Sequence, residues 1–183
     1  MPIYNTIEIN LSYIGSAEVC MAKIGVFGSD QLNQAIDLFR SLLNGSGEHE
    51  IIPLSGGAGF DIIVCVEDAP GPDAFNAAGE RTKYVVNPDH KNILAQLPKK
   101  GAELITCGFN GKDCVTASSV TENELQICIQ RNIPTLDGRI LEPQEFCVSL
   151  DTEEKRPELV LAVVTALLAA GADGVLTACE QRL

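Results

Sequence analysis

Short apolar runs and helix-spaced stretches take turns along the first hundred residues of this chain. Ile24 to Phe27 is an apolar run that ends at Gly28 and predicts a buried strand. Gln31 to Leu43 then sets Leu32, Ala35, Ile36, Phe39 and Leu42 or Leu43 on one helical face. The glycines of "NGSGEHE" close that helix. "EIIPL" predicts a second strand, and the flexible "SGGAG" follows it. "FDIIVCVEDA" is the clearest strand, with the continuous apolar run of a parallel strand covered on both faces. "PGPDAFNAAGER" reads as turn and loop holding one helical turn, "KYVVN" as another strand, and "KNILAQLP" as a short helix.

From residue 103 the texture changes. "ELITCGF", "CVTASSV", "LQICIQR" and "EFCVSL" are strand-like and are separated by polar turns, a spacing that predicts hairpins and an antiparallel or mixed sheet. "RPELVLAVVTALLAAGAD" predicts a helix, with Pro157 in its first turn and Gly171 at its end. Its apolar residues point in nearly all directions, so it belongs between layers or at an interface. The expected fold class is α/β. A mostly parallel sheet is flanked by helices, and antiparallel strands are added in the C-terminal half. Residues 22–183 form one domain. Residues 1–20 alternate weakly (Ile3, Ile7, Ile9, Leu11) and read either as an extra edge strand or as the product of a mis-set start ahead of Met21.

Composition narrows the partners. The 183 residues are 45% apolar and 21% charged, enough for one well-filled core. The formal charge of −12, without any basic run, argues against nucleic acid and anionic lipid. There are seven cysteines, an odd number with no C-x-x-C pair, and most lie in strand-like runs. They read as buried thiols in a reducing compartment. The longest apolar stretch, Leu159 to Ala172, is shorter than the ~20 residues of a bilayer span. With no secretory signal pattern, the expected location is cytoplasmic.

Four stretches carry candidate chemistry. The first is the turn at Gly28, Ser29 and Asp30, set between a strand and a helix as in phosphate-binding loops. Asn33 stands where the long form of such a loop has its second glycine, and Leu32 where the short form has its lysine. The turn therefore reads as a plain β–α connection or as a weak anion seat. The second is Glu67-Asp68, at the exit of the central strand: either a Mg²⁺-binding acid or simply an acidic strand end. In the third, "NPDH", Asn87 and Asp89 leave a strand end and could touch a base or ribose. Asp89 reads equally as the cap of the next helix, and the cap is favoured. His90 reads as a surface or packing histidine rather than a general base. The fourth is Asn110-Gly111, a tight-turn signal between two strands. Ser118 and Ser119 lack a nucleophile elbow.

Taken in chain order, "IGVFGSDQLNQAIDLF", "DIIVCVE", "YVVNPDH", "ITCGFNGKDCVTASSV" and "PELVLAVVTALLAAGAD" resemble the central domain of the Mur ligases. These are ATP-dependent amide ligases that add amino acids to nucleotide-linked muramyl peptides. The resemblance spans about residues 22–174 and implies a P-loop-like sheet. It also implies ATP or ADP with Mg²⁺ as cofactor, with Gly28 as the first phosphate-loop glycine, Glu67 as the Mg²⁺ acid and Asn87 as an adenine contact.

The departures are as informative. Leu32 replaces the family's catalytic lysine, Asn33 its threonine, and His90 its second aspartate. The stretch from Glu67 to Lys83 is too short for the family's His-x-x-Tyr-x-x-Lys region. No Gly-x-His-x-x-x-Asn follows "EFCVSL", and the flanking domains are not in the chain. Phosphoryl transfer relies on those groups for transition-state stabilisation. The expected function is therefore a non-catalytic binding protein for a nucleotide, a cell-wall precursor or a protein partner, in cell-wall metabolism. The alternatives are a subunit or remnant of an ATP-dependent amide ligase, and an interaction protein that binds no ligand, with the 157–172 helix at a homo-oligomer interface.

Overall fold

The computed structural model describes residues 22–28, 31–43, 49–53, 59–66, 75, 78–90, 92–98, 101–149 and 156–172. Residues 1–20, the glycines after the first helix, and Ser29, Asp30, Glu67 and Asp68 lie outside the described residues.

The strands in chain order are β1 (Ala22–Phe27), β2 (His49–Pro53), β3 (Phe60–Cys65), β4 (Ala78–Val86) and β5 (Glu103–Gly108). They continue as β6 (Val115–Val120), β7 (Glu124–Ile129), β8 (Ile133–Pro134), β9 (Ile140–Leu141) and β10 (Gln144–Ser149). The helices are α1 (Leu32–Leu42), α2 (Ile93–Gln96) and α3 (Pro157–Ala170). Eight strands form one sheet in the order β10-β7-β6-β5-β4-β3-β1-β2, and β8 pairs with β9 in a small hairpin. Strands β1 to β6 run parallel. Only β7 is antiparallel to its neighbours β6 and β10.

The apolar pattern explains the layers. Alternate residues of each strand face opposite sides. Ile24, Val26, Ile62, Val64, Val85, Ile105, Leu125, Ile127 and Phe146 join one core with α1 and α3. On the other face Ile63, Cys65, Tyr84 and Val86 pack with Phe75 and with Ile93 of α2. Phe75 meets the Tyr84 ring edge-on, at 5.8 Å between centroids. That face carries Thr106, Ser118 and Gln126 farther along the sheet, so the strands there alternate between core and polar positions.

Helix α3 is buried on every side, Leu159 through Ala170. Each Leu or Val side chain removed from water contributes roughly 1.5–3 kcal/mol, so this helix anchors the domain. Its burial within one chain answers the choice left by the sequence: α3 lies between layers and offers no apolar face to a second copy. Pro157 opens the helix, and Gly171 closes it at φ 88°. There the N–H of Gly171 bonds Leu168 and that of Ala172 bonds Leu167, which satisfies two end carbonyls.

Two expectations change. The Asn110-Gly111 turn does not make a hairpin, because β5 and β6 are parallel, paired only at Cys107–Val115 and Gly108–Thr116. Parallel neighbours normally need a crossover of a dozen residues. Six suffice here because β6 starts where β5 ends, and the two overlap by one step. The hairpin is the next one, β6–β7, closed where Thr121 and Glu124 bond each other. In addition, the polar stretch between "LQICIQR" and "EFCVSL", expected as a turn, holds the β8–β9 hairpin.

Candidate functional site

The carboxyl ends of the parallel strands form one edge of the sheet. Chain order and strand order part company there: β1 leads to β2 on one side, and the chain then crosses to β3 on the other. Such a reversal opens a crevice outside the strand ends, where open α/β sheets hold their ligands. Gly28 follows β1 directly at this reversal, and the N–H of Val66 at the β3 exit bonds the Phe27 carbonyl at 2.9 Å. Glu67 is the next residue in the sequence after Val66.

Helix α1 begins four residues after Gly28. Its N-cap, Gln31, makes no side-chain cap bond, and its first turn holds no acidic residue. Both features leave the helix start compatible with an anion. Leu32, in place of a phosphate lysine, packs against the main core. Asn33 is exposed. Positions 32 and 33 therefore supply neither a phosphate lysine nor a hydroxyl.

Asn87 leaves β4 on the same edge, with β3 between it and β1, two strand spacings or roughly 10 Å from the Gly28 turn. Its side-chain carbonyl accepts the N–H of Asp89 at 2.9 Å, and its backbone carbonyl that of His90 at 3.1 Å. Asp89 is exposed beside it. The cap assignment for Asp89 is corrected: α2 starts after Asn92, at φ 75°, with no side-chain cap bond. Asp89 belongs instead to the tight turn that Asn87 closes. Gly28, Asn87 and Asp89 thus share one edge.

Sequence reasoning missed the group next to them. Asp113 is only 3% exposed. Its carboxylate accepts the Asn110 N–H at 3.3 Å and is bonded by the Thr106 hydroxyl. Thr106 in turn accepts the N–H of Cys114 at 3.0 Å. Burial lifts the Asp113 carboxyl above the usual carboxylate range, against the lowering effect of those hydrogen bonds. In "NGKD" an aspartate reads as one more polar turn residue, and no spacing marks it as buried.

The two most deeply buried of the described thiols are held in the protonated form. Cys65 and Cys107 are pushed up to about 12, both by burial and Cys107 further by the charge of Asp113. Among the described residues no cluster of His, Cys, Asp or Glu is placed to hold a metal. No helix among them is long and apolar enough to cross a membrane. No protein-family model matches the chain. A search of curated proteins finds no match either.

Proposed function

We propose that this chain is a non-catalytic binding protein with a P-loop-like fold similar to the Mur-ligase central domain, taking a nucleotide or a nucleotide-linked cell-wall precursor at the carboxyl edge. The observation that carries this reading is the reversal between β1 and β3, with Gly28 at the crossing and Asn87 two strands away. A helix start suits a phosphate group, and a side-chain amide suits the edge of a base. A bound nucleotide brings phosphate charge and a flat base, and the residues present fit both weakly. They do not fit phosphoryl transfer. The position that needs a lysine is a leucine packed on the core, and transition-state charge then lacks its main counter-charge. If Mg²⁺ accompanies the nucleotide, Glu67 is the residue to hold it.

Calorimetric titration with Mg·ADP, Mg·ATP and a UDP-muramyl peptide tests the reading. Binding by any of them, weakened in Asn87→Ala and unaccompanied by ATP turnover, supports it. Hydrolysis at ligase-like rates overturns the non-catalytic assignment. Silence toward all three, with a melting point that rises with protein concentration, points to an interaction protein instead.

A further inference from the structure

Asp113 is the one carboxylate among the described residues that is shut away from solvent. Burying such a charge costs several kcal/mol unless hydrogen bonds offset the loss of water. Here the bonds come from the Asn110 N–H and the Thr106 hydroxyl, and the N–H of Asp113 itself bonds the Asn110 carbonyl at 2.9 Å. Two bonds thus hold the side chain and a third holds its backbone, near the end of the β5–β6 connection.

Gly108 shows what the carboxylate is held against. A Cβ at this last residue of β5 would stand 2.7 Å from Asp113 Oδ2 and 3.2 Å from Asn87 Oδ1. The first distance is a clash and the second is tight. Two side chains from different segments therefore fill the space above one glycine, Asn87 from the β4 exit and Asp113 from the β5–β6 loop. The Asn87 amide oxygen and the Asp113 carboxylate oxygen thus stand side by side over the same backbone position.

We propose that Asp113 is a positioning residue for the carboxyl-edge site: packed beside Asn87 over Gly108, it fixes the Asn87 side-chain amide and ties it to the β5–β6 loop. The consequence for ligand binding rests on the nucleotide reading above, whereas the positioning does not. The charged and titratable groups around Asp113 are Asp89 beyond β4, Arg131 beyond β7, and the Cys107 and Cys114 thiols. Asp89 lies near Asn87 and is exposed, so its carboxyl must be replaced before the effect of Asp113 can be read at Asn87.

The test is an NMR titration of the Asn87 side-chain amide in an Asp89→Asn background, repeated with Asp113→Asn. In the first protein the amide signal moves with pH and shares its midpoint with the Asp113 carboxyl carbon. In the second, isosteric variant the movement is gone. Calorimetry with Mg·ADP supplies a second readout: Asp113→Ala weakens binding by about 5-fold, the lower end of ordinary coupling between sites, and Asp113→Asn restores it. An Asn87 amide that ignores both pH and Asp113→Ala, while loop amides shift, overturns the proposal and leaves Asp113 as a loop anchor alone. A coupled NMR titration without Mg·ADP binding supports the positioning and overturns only the nucleotide reading.

Discussion

Arg139 Nη2 donates to the carbonyl oxygen of Gly171 at 3.1 Å, joining the β8–β9 turn to the residue that ends α3. Two further bonds complete the clasp. The N–H of Leu136 reaches the Ala169 carbonyl at 2.9 Å, and Asp137 holds the Arg139 guanidinium through Nε at 2.6 Å. A cation at a helix C-terminus also meets the negative end of the helix dipole. Arg139→Ala should therefore cost about 1 kcal/mol, since a hydrogen bond to a charged donor is lost at a half-exposed site. Urea unfolding with an unchanged slope would show it, and Arg139→Lys should recover part of the loss.

Gly171 is the more sensitive end of the same clasp. Its φ of 88° disfavours any side chain, and a Cβ would sit 3.0 Å from Asp137 Oδ2. Strain of roughly 1–2 kcal/mol adds to the contact in Gly171→Ala. The variant should melt below Arg139→Ala, and Asp137→Ala in the Gly171→Ala background should return some of the difference.

The two perturbed aspartates should pull the acid stability profile in opposite directions. Burial works to raise the Asp137 carboxyl, but the bonds from Arg139 and the Thr135 hydroxyl outweigh it and hold it at about 2, against 3.8 for the free group. The folded pKa is depressed, so the stabilisation is present above pH 3.8 and is lost as pH falls toward 2. Asp113 has the opposite sign: its folded pKa lies above 3.8, so ionising it as pH rises disfavours the native state. Melting temperatures should fall less steeply on acidification below pH 4 in Asp137→Asn. Asp113→Asn should hold or gain melting temperature at neutral pH relative to the parent. A profile unchanged in both variants would contradict these assignments.

What the sequence made legible follows from which signals are one-dimensional. Helix α3 and strand β3 were readable because eleven of the twelve buried residues of one and five of the six residues of the other are apolar, a density that burial on more than one side explains. The β1–α1 junction was readable from the shift to helical spacing at Leu32. The β5–β6 connection was not, because Asn-Gly marks a tight turn and says nothing about whether the chain reverses. The pairing is parallel only because β6 is displaced along β5, a fact of register between neighbours. Asp113 was hidden for a related reason, since a polar residue becomes a buried one through the strand end folded over it. The Asp89 cap failed because α2 is one turn long and starts at Asn92, whose positive φ no spacing rule anticipates. Gly28 and Asn87 were picked out as strand ends, and what their order alone could not give was the crossing of β1 to β3 that sets both on one edge.

The buried thiols give a chemical test of the core. Cys65 and Cys107 are both pushed up to about 12 and buried, whereas Cys114 and Cys147 are half-exposed. Alkylation needs the thiolate and access to it. At pH 8, iodoacetamide followed by peptide mapping should label Cys114 and Cys147 within minutes. Cys65 and Cys107 should stay unlabelled until denaturant is added. Early labelling of Cys107 would mean that α3 does not cover β5 as described.

The opening turn permits a gain-of-function experiment. Leu32 is half-buried at the first position of α1 and packs on the core, while Asn33 is exposed. Leu32→Lys combined with Asn33→Thr restores the charge and hydroxyl that the turn lacks. The lysine stem can lie along the apolar surface Leu32 now covers and carry its ammonium to solvent, so the stability cost should stay near 1 kcal/mol. A lysine beside a phosphate seat adds a charge-assisted contact of about 1.5–3 kcal/mol, which corresponds to roughly a tenfold or greater gain in affinity for Mg·ADP. Such a gain without ATP turnover would place the phosphates at the Gly28 turn and show that geometry outlasted chemistry there. Equal affinity before and after the substitutions, in a protein that still melts cooperatively, would move any nucleotide site away from β1.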